Sequence, residues 1–70
     1  MKYRILIQWS DEDQTYVVFL PDWEGSVFQP VTDGATYEEA ARKGESVLSF
    51  LIETFQDEGR ALPDPKVFVA

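Results

Sequence analysis

The first third of the chain alternates between polar and apolar residues, which predicts two β-strands. From Lys2 to Ser10 every second position is apolar, the period of a strand with one buried face. Residues 11–14 are polar turn formers. Thr15 to Leu20 is β-branched and aromatic, which is typical of a second strand. We therefore expect a β-hairpin.

The register of this hairpin decides which side chains share a face. Pairing Trp9 with Tyr16 puts Tyr16, Val18 and Leu20 on the face of Ile5 and Ile7. Leu6, Val17 and Phe19 then lie on the opposite face. A slip of one residue would instead put Val17 and Phe19 on the face of Ile5 and Ile7. The sequence alone permits both registers.

A turn with proline and glycine follows the second strand. Pro21 has no N–H to donate and belongs at a strand end, while Gly25 can adopt a positive φ. Ser26 to Gln29 is predicted as a short third strand. An extension to Val31 stays open, because Pro30 is compatible either with an edge strand or with an early end of the strand. Residues 32–35 are predicted as a connecting loop.

A long amphipathic helix is predicted from Thr36 to Glu58. Thr36 and Glu39 have the spacing of a capping box, in which the Thr36 hydroxyl accepts from the Glu39 amide and the Glu39 carboxylate reaches the Thr36 amide. Apolar residues then recur every three or four positions from Tyr37 to Phe55, which predicts the buried stripe of the helix, and Gly59 is a suitable residue to end it. Gly44 lies in this stripe, where we expect close approach to the sheet, with a strand aromatic filling the space.

A fourth strand is predicted from Lys66 to Val69, after an extended Leu62-Pro63-Asp64-Pro65 segment. The element order is then β-β-β-α-β. The fold class is α+β, an antiparallel sheet with one long helix packed on one face, and residues 1–70 form a single domain.

The net charge of −7 limits the classes of partner that the protein is expected to bind. Nucleic acid and anionic membrane surfaces both select for basic proteins, so neither is expected to bind directly. A basic protein partner is compatible. No stretch has the length of a membrane span or the pattern of a signal peptide, so the expected location is cytoplasmic.

The residues that usually carry chemistry are missing or scattered. The chain has neither Cys nor His, so thiolate chemistry and the commonest general base are excluded. The acidic residues that could form a site fall in turns, loops and at the helix start, where solvation, turn formation and capping explain them; they are Asp11, Glu12, Asp13, Asp22, Glu24, Asp33, Glu38 and Glu39. We predict no catalytic residue, no metal site and no cofactor.

Three segments in series resemble the HicB-like antitoxin domain family. They are Tyr16-Val17-Val18-Phe19-Leu20-Pro21-Asp22-Trp23-Glu24-Gly25, Asp33-Gly34-Ala35-Thr36-Tyr37-Glu38-Glu39-Ala40 and Glu58-Gly59-Arg60-Ala61-Leu62-Pro63-Asp64-Pro65. The family usually has Leu-Pro where this chain has Trp23-Glu24, and Cys where it has Ser26. Full-length HicB antitoxins usually carry a C-terminal DNA-binding module, and the resemblance implies that this sequence corresponds to the toxin-binding part without that module.

The resemblance implies a partial ribonuclease-H-like fold without nuclease activity. It also implies a partner, a small basic mRNA-cleaving toxin of the HicA type, whose active surface the domain would cover. Two alternatives stay open. One is an orphan regulatory or small-ligand-binding domain with a pocket lined by Trp9, Tyr16 or Trp23, and the other is a vestigial magnesium-dependent nuclease.

One helix leaves the second apolar face of the sheet uncovered. Uncovered apolar surface usually marks association, so we expect a homo-oligomer, a dimer or a tetramer, formed through that face or through an edge strand. Trp23 is either an anchor in an exposed loop or a plug of that loop. The candidate interface residues, for a partner or an oligomer, are Leu6, Val17, Phe19, Trp23 and Phe28.

Overall fold

Three antiparallel strands followed by one long helix make up the part of the chain that the computed structural model describes, residues 2–69. The strands are β1 (Leu6–Ser10), β2 (Thr15–Phe19) and β3 (Thr32–Gly34), in the sheet order β1-β2-β3. The helix α1 spans Tyr37–Asp57, and a single 3-10 turn, Pro21–Trp23, follows β2. The α+β class is confirmed, with the order β-β-β-α.

The hairpin has the register that pairs Trp9 with Tyr16, and the one-residue slip is wrong. Ile7 lies opposite Val18, and Leu6 lies opposite Phe19. Because directly opposed side chains share a face, these two pairs point to opposite sides of the sheet. Val18 is fully buried whereas Leu6 is 47% exposed, so the helix covers the Val18 side.

Both hairpin strands are shorter than predicted, because side chains bind the backbone groups that a longer ladder would use. The Arg4 amide donates to Asp22 Oδ2 at 2.9 Å, and β1 begins only at Leu6. The Leu20 amide and carbonyl both bond to the Gln29 side chain, at 2.7 and 2.8 Å, and β2 ends at Phe19.

The third strand lies later than predicted. Residues 26–29 form a loop, apart from an isolated bridge between Glu24 and Val27, and the predicted connecting loop contains β3 itself. Pro30 cannot donate to a ladder. Pairing starts beyond it, where the Val31 amide donates to the Val18 carbonyl at 2.8 Å and Thr32 lies opposite Val18.

The helix boundaries are confirmed, with Thr36 as the N-cap and Glu58 as the C-cap. Thr36 Oγ1 accepts from the Glu39 amide at 3.1 Å, but the Glu39 carboxylate accepts from the Ala35 amide at 3.0 Å, not from Thr36. Gly59 has φ +68°. The Arg60 amide then reaches the Phe55 carbonyl at 2.8 Å, completing a Schellman ending.

Helix and sheet approach each other closely at Gly44. A Cβ atom there would lie 3.1 Å from Val18 Cγ1 and 3.3 Å from Ile5 Cγ2. Close approach is confirmed, but aliphatic side chains fill the space, so the expected strand aromatic was wrong. The core is a cluster of four buried side chains, Leu20, Trp23, Leu48 and Phe55.

The segment after the helix is held by side chains and not by a strand ladder. Tyr3 Oη donates to the Pro63 carbonyl at 2.6 Å, and the Lys66 amide donates to Asp22 Oδ1 at 3.3 Å. No strand forms at residues 66–69, so the predicted fourth strand was wrong. Across residues 2–69, no helix has both the length and the apolar content to cross a bilayer.

Candidate protein-binding surfaces

The sheet face opposite the helix carries apolar side chains that no other element within residues 2–69 covers. Leu6 and Phe19 face each other across the hairpin on this side, and Val17 lies two positions before Phe19 in β2. Leu6 is 47% exposed, Phe19 is partly buried and Val17 is buried. The apolar surplus expected from the alternation is therefore centred on Leu6 and Phe19.

An open groove of about 480 Å³ runs along this face beside the loop that follows the 3-10 turn. We call it the bare-face groove; its lining residues are Leu6, Phe19, Pro21, Glu24, Gly25, Val27, Phe28 and Gln29. Glu24 is the one charged residue among them. The groove is thus apolar with a single carboxylate.

Local structure holds Phe28 outward at the rim of this groove. Gly25 has φ +85°, a conformation that favours glycine, and turns the chain after Trp23. The Gln29 side chain then fixes the end of the loop to both backbone groups of Leu20. Phe28 is left 98% exposed. Burying a phenylalanine typically contributes about 1.5–3 kcal/mol, so this side chain favours association.

Trp23 is not part of any contact surface. Its side chain is fully buried, and its ring packs edge-on against Tyr3 at 5.3 Å and Phe55 at 5.0 Å. Of the two interpretations of this residue, the interface anchor was wrong and the buried plug is the observed state. Its Nε1 has no hydrogen-bond partner among the described residues.

A second surface lies at the hairpin end of the molecule. The rings of Trp9 and Tyr16 meet edge-on at 5.0 Å, and those of Tyr16 and Tyr37 lie 4.3 Å apart. Trp9 is 45% exposed and Tyr37 is 62% exposed. The strand pair places Trp9 and Tyr16 on the helix side, where the first residue of the helix adds the third ring.

Carboxylates adjoin these rings. Asp11 Oδ1 accepts from Trp9 Nε1 at 2.7 Å, and Glu12 and Asp13 follow in the same exposed turn. Glu38 is the exposed neighbour of Tyr37 in the chain. We call Trp9, Tyr16, Tyr37, Asp11 and Glu12 the aromatic–acidic cluster. Exposed rings beside carboxylates offer both cation–π contacts and ion pairs to Lys or Arg.

Within residues 2–69, Asp11, Glu12 and Asp13 form no ion pair with Lys or Arg. Lys43 Nζ lies 3.9 Å from Asp33 and from Glu39, at the edge of the geometric range. Pairs of this length between exposed side chains contribute little. The carboxylates of the hairpin turn therefore remain open to an external partner.

Asp22, by contrast, has a structural role. Its side chain is shut off from solvent, and both of its oxygens accept hydrogen bonds. The hydrogen bond from the Arg4 side chain lowers the pKa of this carboxyl, against an opposing effect of burial. A carboxylate that is already bound in this way is a poor metal ligand.

Within residues 2–69, no three Asp or Glu side chains come together in a way that could hold a metal ion, and the sequence has neither His nor Cys. The bare-face groove is lined by none of the three aromatics expected around a small ligand, Trp9, Tyr16 and Trp23.

Of the five candidate interface residues, the structure brings Leu6, Phe19 and Phe28 into one groove, places Val17 on the same face and buries Trp23. Sequence reasoning missed Tyr37, which it assigned to the buried stripe of the helix. The available signal was its position as the first helical residue, beyond the covered part of the sheet.

No family model, no curated protein and no solved structure matches this chain. The resemblance to HicB-like antitoxin domains therefore rests on the three sequence segments alone.

Proposed function

We propose that this protein is a non-enzymatic binding module that captures a small basic protein at the aromatic–acidic cluster. In the manner that the HicB resemblance implies, the partner is an mRNA-cleaving toxin in the cytoplasm, and binding covers its active surface. The observation that carries the proposal is the row of three contacting rings, of which Trp9 and Tyr37 are exposed, beside turn carboxylates that form no ion pair within residues 2–69.

Charge supports a basic partner. The chain carries 13 acidic and 6 basic residues, and the hairpin turn alone contributes Asp11, Glu12 and Asp13. A surface that binds RNA presents Lys and Arg in order to neutralise phosphate, so a toxin's RNA-binding surface is complementary to this cluster. Such complementarity speeds encounter and selects the partner.

The rings supply the second part of the argument. Aromatic side chains are enriched at interface hot spots, and an Arg guanidinium stacks well on Trp or Tyr. Because the edge-on contact to Tyr16 and the Asp11 hydrogen bond already hold Trp9, binding would order few additional side-chain torsions.

The partial ribonuclease-H-like description belongs to this proposal. The observed order is β-β-β-α, without the fourth strand of the predicted β-β-β-α-β order. The proposed activity does not need that strand. Binding requires only the hairpin and the start of the helix.

The test is co-expression with the product of the neighbouring gene, followed by affinity purification and an mRNA-cleavage assay. We expect a complex that inhibits cleavage. The double substitution Asp11→Asn/Glu12→Gln should weaken the complex by about tenfold or more, equivalent to ~1.4 kcal/mol. Asparagine at position 11 can still accept from Trp9 Nε1, so the fold is preserved.

The matched control is Glu45→Gln/Glu53→Gln, which removes the same charge from the exposed side of α1. Equal weakening by both pairs would mean that only net charge matters and would refute the proposed surface. A neighbouring gene whose product is neither basic nor toxic would remove the antitoxin interpretation altogether.

A further inference from the structure

Two apolar features within residues 2–69 lie open to solvent on or beside the hairpin face. One is the bare-face groove with Phe28 at its rim. The other is residues 67–69, in which Val67, Phe68 and Val69 are 56%, 93% and 82% exposed. The first is a groove, and the second is a short segment outside any helix or strand, which is a shape that a groove can take up.

Their charges are complementary as well. Glu24 is the charged residue of the groove, and Lys66 directly precedes the exposed segment. Neither of these side chains forms an ion pair with any other residue in the range 2–69. A Lys66–Glu24 pair would set the register in which Phe68 enters the groove.

We propose that residues 66–69 of a second copy of the chain occupy the bare-face groove, and that two copies exchange these segments reciprocally. Phe68 packs against Phe19 and Phe28, and Lys66 pairs with Glu24 of the other copy. A twofold dimer of this kind fills both grooves, because each copy gives one segment and receives one.

A second copy fits better than the chain's own segment. Within one molecule, the Lys66 amide is fixed to Asp22 and the Pro63 carbonyl to Tyr3, and from these anchors the segment leads its side chains into solvent. Phe68 and Phe28 of the same molecule are both more than nine-tenths exposed, so they do not cover each other.

The contact is small. Two exchanged four-residue segments correspond to the lower end of specific interfaces, below about 1,200 Å², where transient complexes lie. We therefore expect a monomer–dimer equilibrium in the micromolar range. This surface is separate from the aromatic–acidic cluster, so partner binding and self-association can be disrupted independently.

The experiment is sedimentation velocity from about 1 to 500 µM, a range that brackets a micromolar equilibrium. We expect Phe68→Ser to abolish the dimer. Phe50→Ser is the matched control, because Phe50 is also exposed, at 65%, but lies on the outer side of α1, and this variant should dimerise as the original chain does.

A charge exchange tests the register directly. Lys66→Glu and Glu24→Lys should each weaken the dimer by about tenfold, or ~1.4 kcal/mol. The combined variant, whose net charge equals that of the original chain, should restore it. Within residues 2–69, Lys66 and Glu24 form hydrogen bonds only through backbone groups, and their amides donate to Asp22 and to the Pro21 carbonyl. Changing either side chain should therefore leave the fold intact.

Three outcomes would overturn the proposal. The first is a monomer throughout the concentration range, which includes the case of a segment that folds back onto its own groove. The second is a dimer that Phe68→Ser leaves intact, and the third is a dimer that the combined charge variant fails to restore.

Discussion

Asp22 binds Arg4 through both of its carboxylate oxygens. Oδ2 accepts from the Arg4 amide at 2.9 Å, and Oδ1 accepts from the guanidinium at 2.7 Å. Oδ1 also accepts from the Lys66 amide at 3.3 Å. One carboxylate therefore ties the residues before β1 and the residues after α1 to the 3-10 turn that follows β2.

The stabilisation from Asp22 should depend on pH. Because the Arg4 hydrogen bond lowers its pKa in the folded state, the stabilisation is fully present above the unfolded pKa of about 3.9 and is lost as the pH falls through the lower, folded pKa. We expect Asp22→Asn to cost about 1–2 kcal/mol at pH 7, since Arg4 is half exposed and screened. Urea unfolding measures the gap at pH 7 and over a series of acidic pH values. The gap should begin to narrow below about pH 3.9 and close below the lower, folded pKa.

Asp64→Asn, at an exposed position in the segment after the helix, is the control and should have little effect at either pH. A penalty for Asp22→Asn that is the same in acid as at neutral pH would contradict the role assigned to this carboxylate.

Two glycines should respond differently to the same substitution. A Cβ at Gly34 would lie 2.5 Å from the Ala40 amide nitrogen and 2.8 Å from its Cα, so Gly34→Ala must displace the helix backbone. At Gly44 the close atoms belong to side chains, and alanine gains about 1 kcal/mol of helix propensity. We expect a cost above ~2 kcal/mol at Gly34 and a near-neutral effect at Gly44.

Thermal unfolding followed by circular dichroism distinguishes the two variants. Similar melting temperatures for Gly34→Ala and Gly44→Ala would show that β3 can move away from the helix start, contrary to the packing described.

The two tryptophans should report opposite environments. Trp9→Phe leaves only the buried Trp23, whose emission should be blue-shifted and resistant to acrylamide. Trp23→Phe leaves Trp9, which is 45% exposed and should be quenched readily. Trp23→Ala opens a cavity in the core and should cost about 3–5 kcal/mol. Equal quenching of the two single-tryptophan variants would contradict the burial of Trp23.

The helix cap should contribute measurably to stability. Thr36→Ala removes the acceptor for the Glu39 amide and should cost about 1 kcal/mol in urea unfolding. Glu39→Gln keeps an oxygen for the Ala35 amide and should cost less. Ser49→Ala, on the exposed side of α1, controls for helix propensity, and a cost equal to that of Thr36→Ala would argue against the cap.

The sequence predicted the elements that local chemistry determines. Thr36, Glu39 and Gly59 mark the helix ends through contacts within one or two turns, and the Trp9–Tyr16 pair is one of the two registers that the alternation permits. The predicted position of the third strand was wrong because the Gln29 side chain bonds to the amide and the carbonyl of Leu20, nine positions away. Nothing in the alternation encodes such a side-chain substitute for a strand.

The residues of the candidate surfaces show the same difference between what local patterns determine and what tertiary packing determines. The face of Leu6 follows from the alternation, whereas the face of Phe19 depends on the register, of which the sequence permits two. Phe28 was expected as a contact residue within a third strand, but it lies in a loop. Trp23, for which anchor and plug were both open, is buried, and Tyr37, expected in the buried stripe of the helix, is exposed. Their burial depends on where the helix lies over the sheet, a tertiary relationship that no local pattern contains.

The shared carboxylate of Asp22 has a topological consequence. Since it receives amides from both Arg4 and Lys66, the polypeptide nearly closes into a ring. A short glycine linker joining residue 3 to residue 67 would span little distance, and new termini opened within the exposed hairpin turn, residues 11–14, would avoid the buried core. The fold is thus suited to circular permutation, in which the same packing is reached by a different chain order.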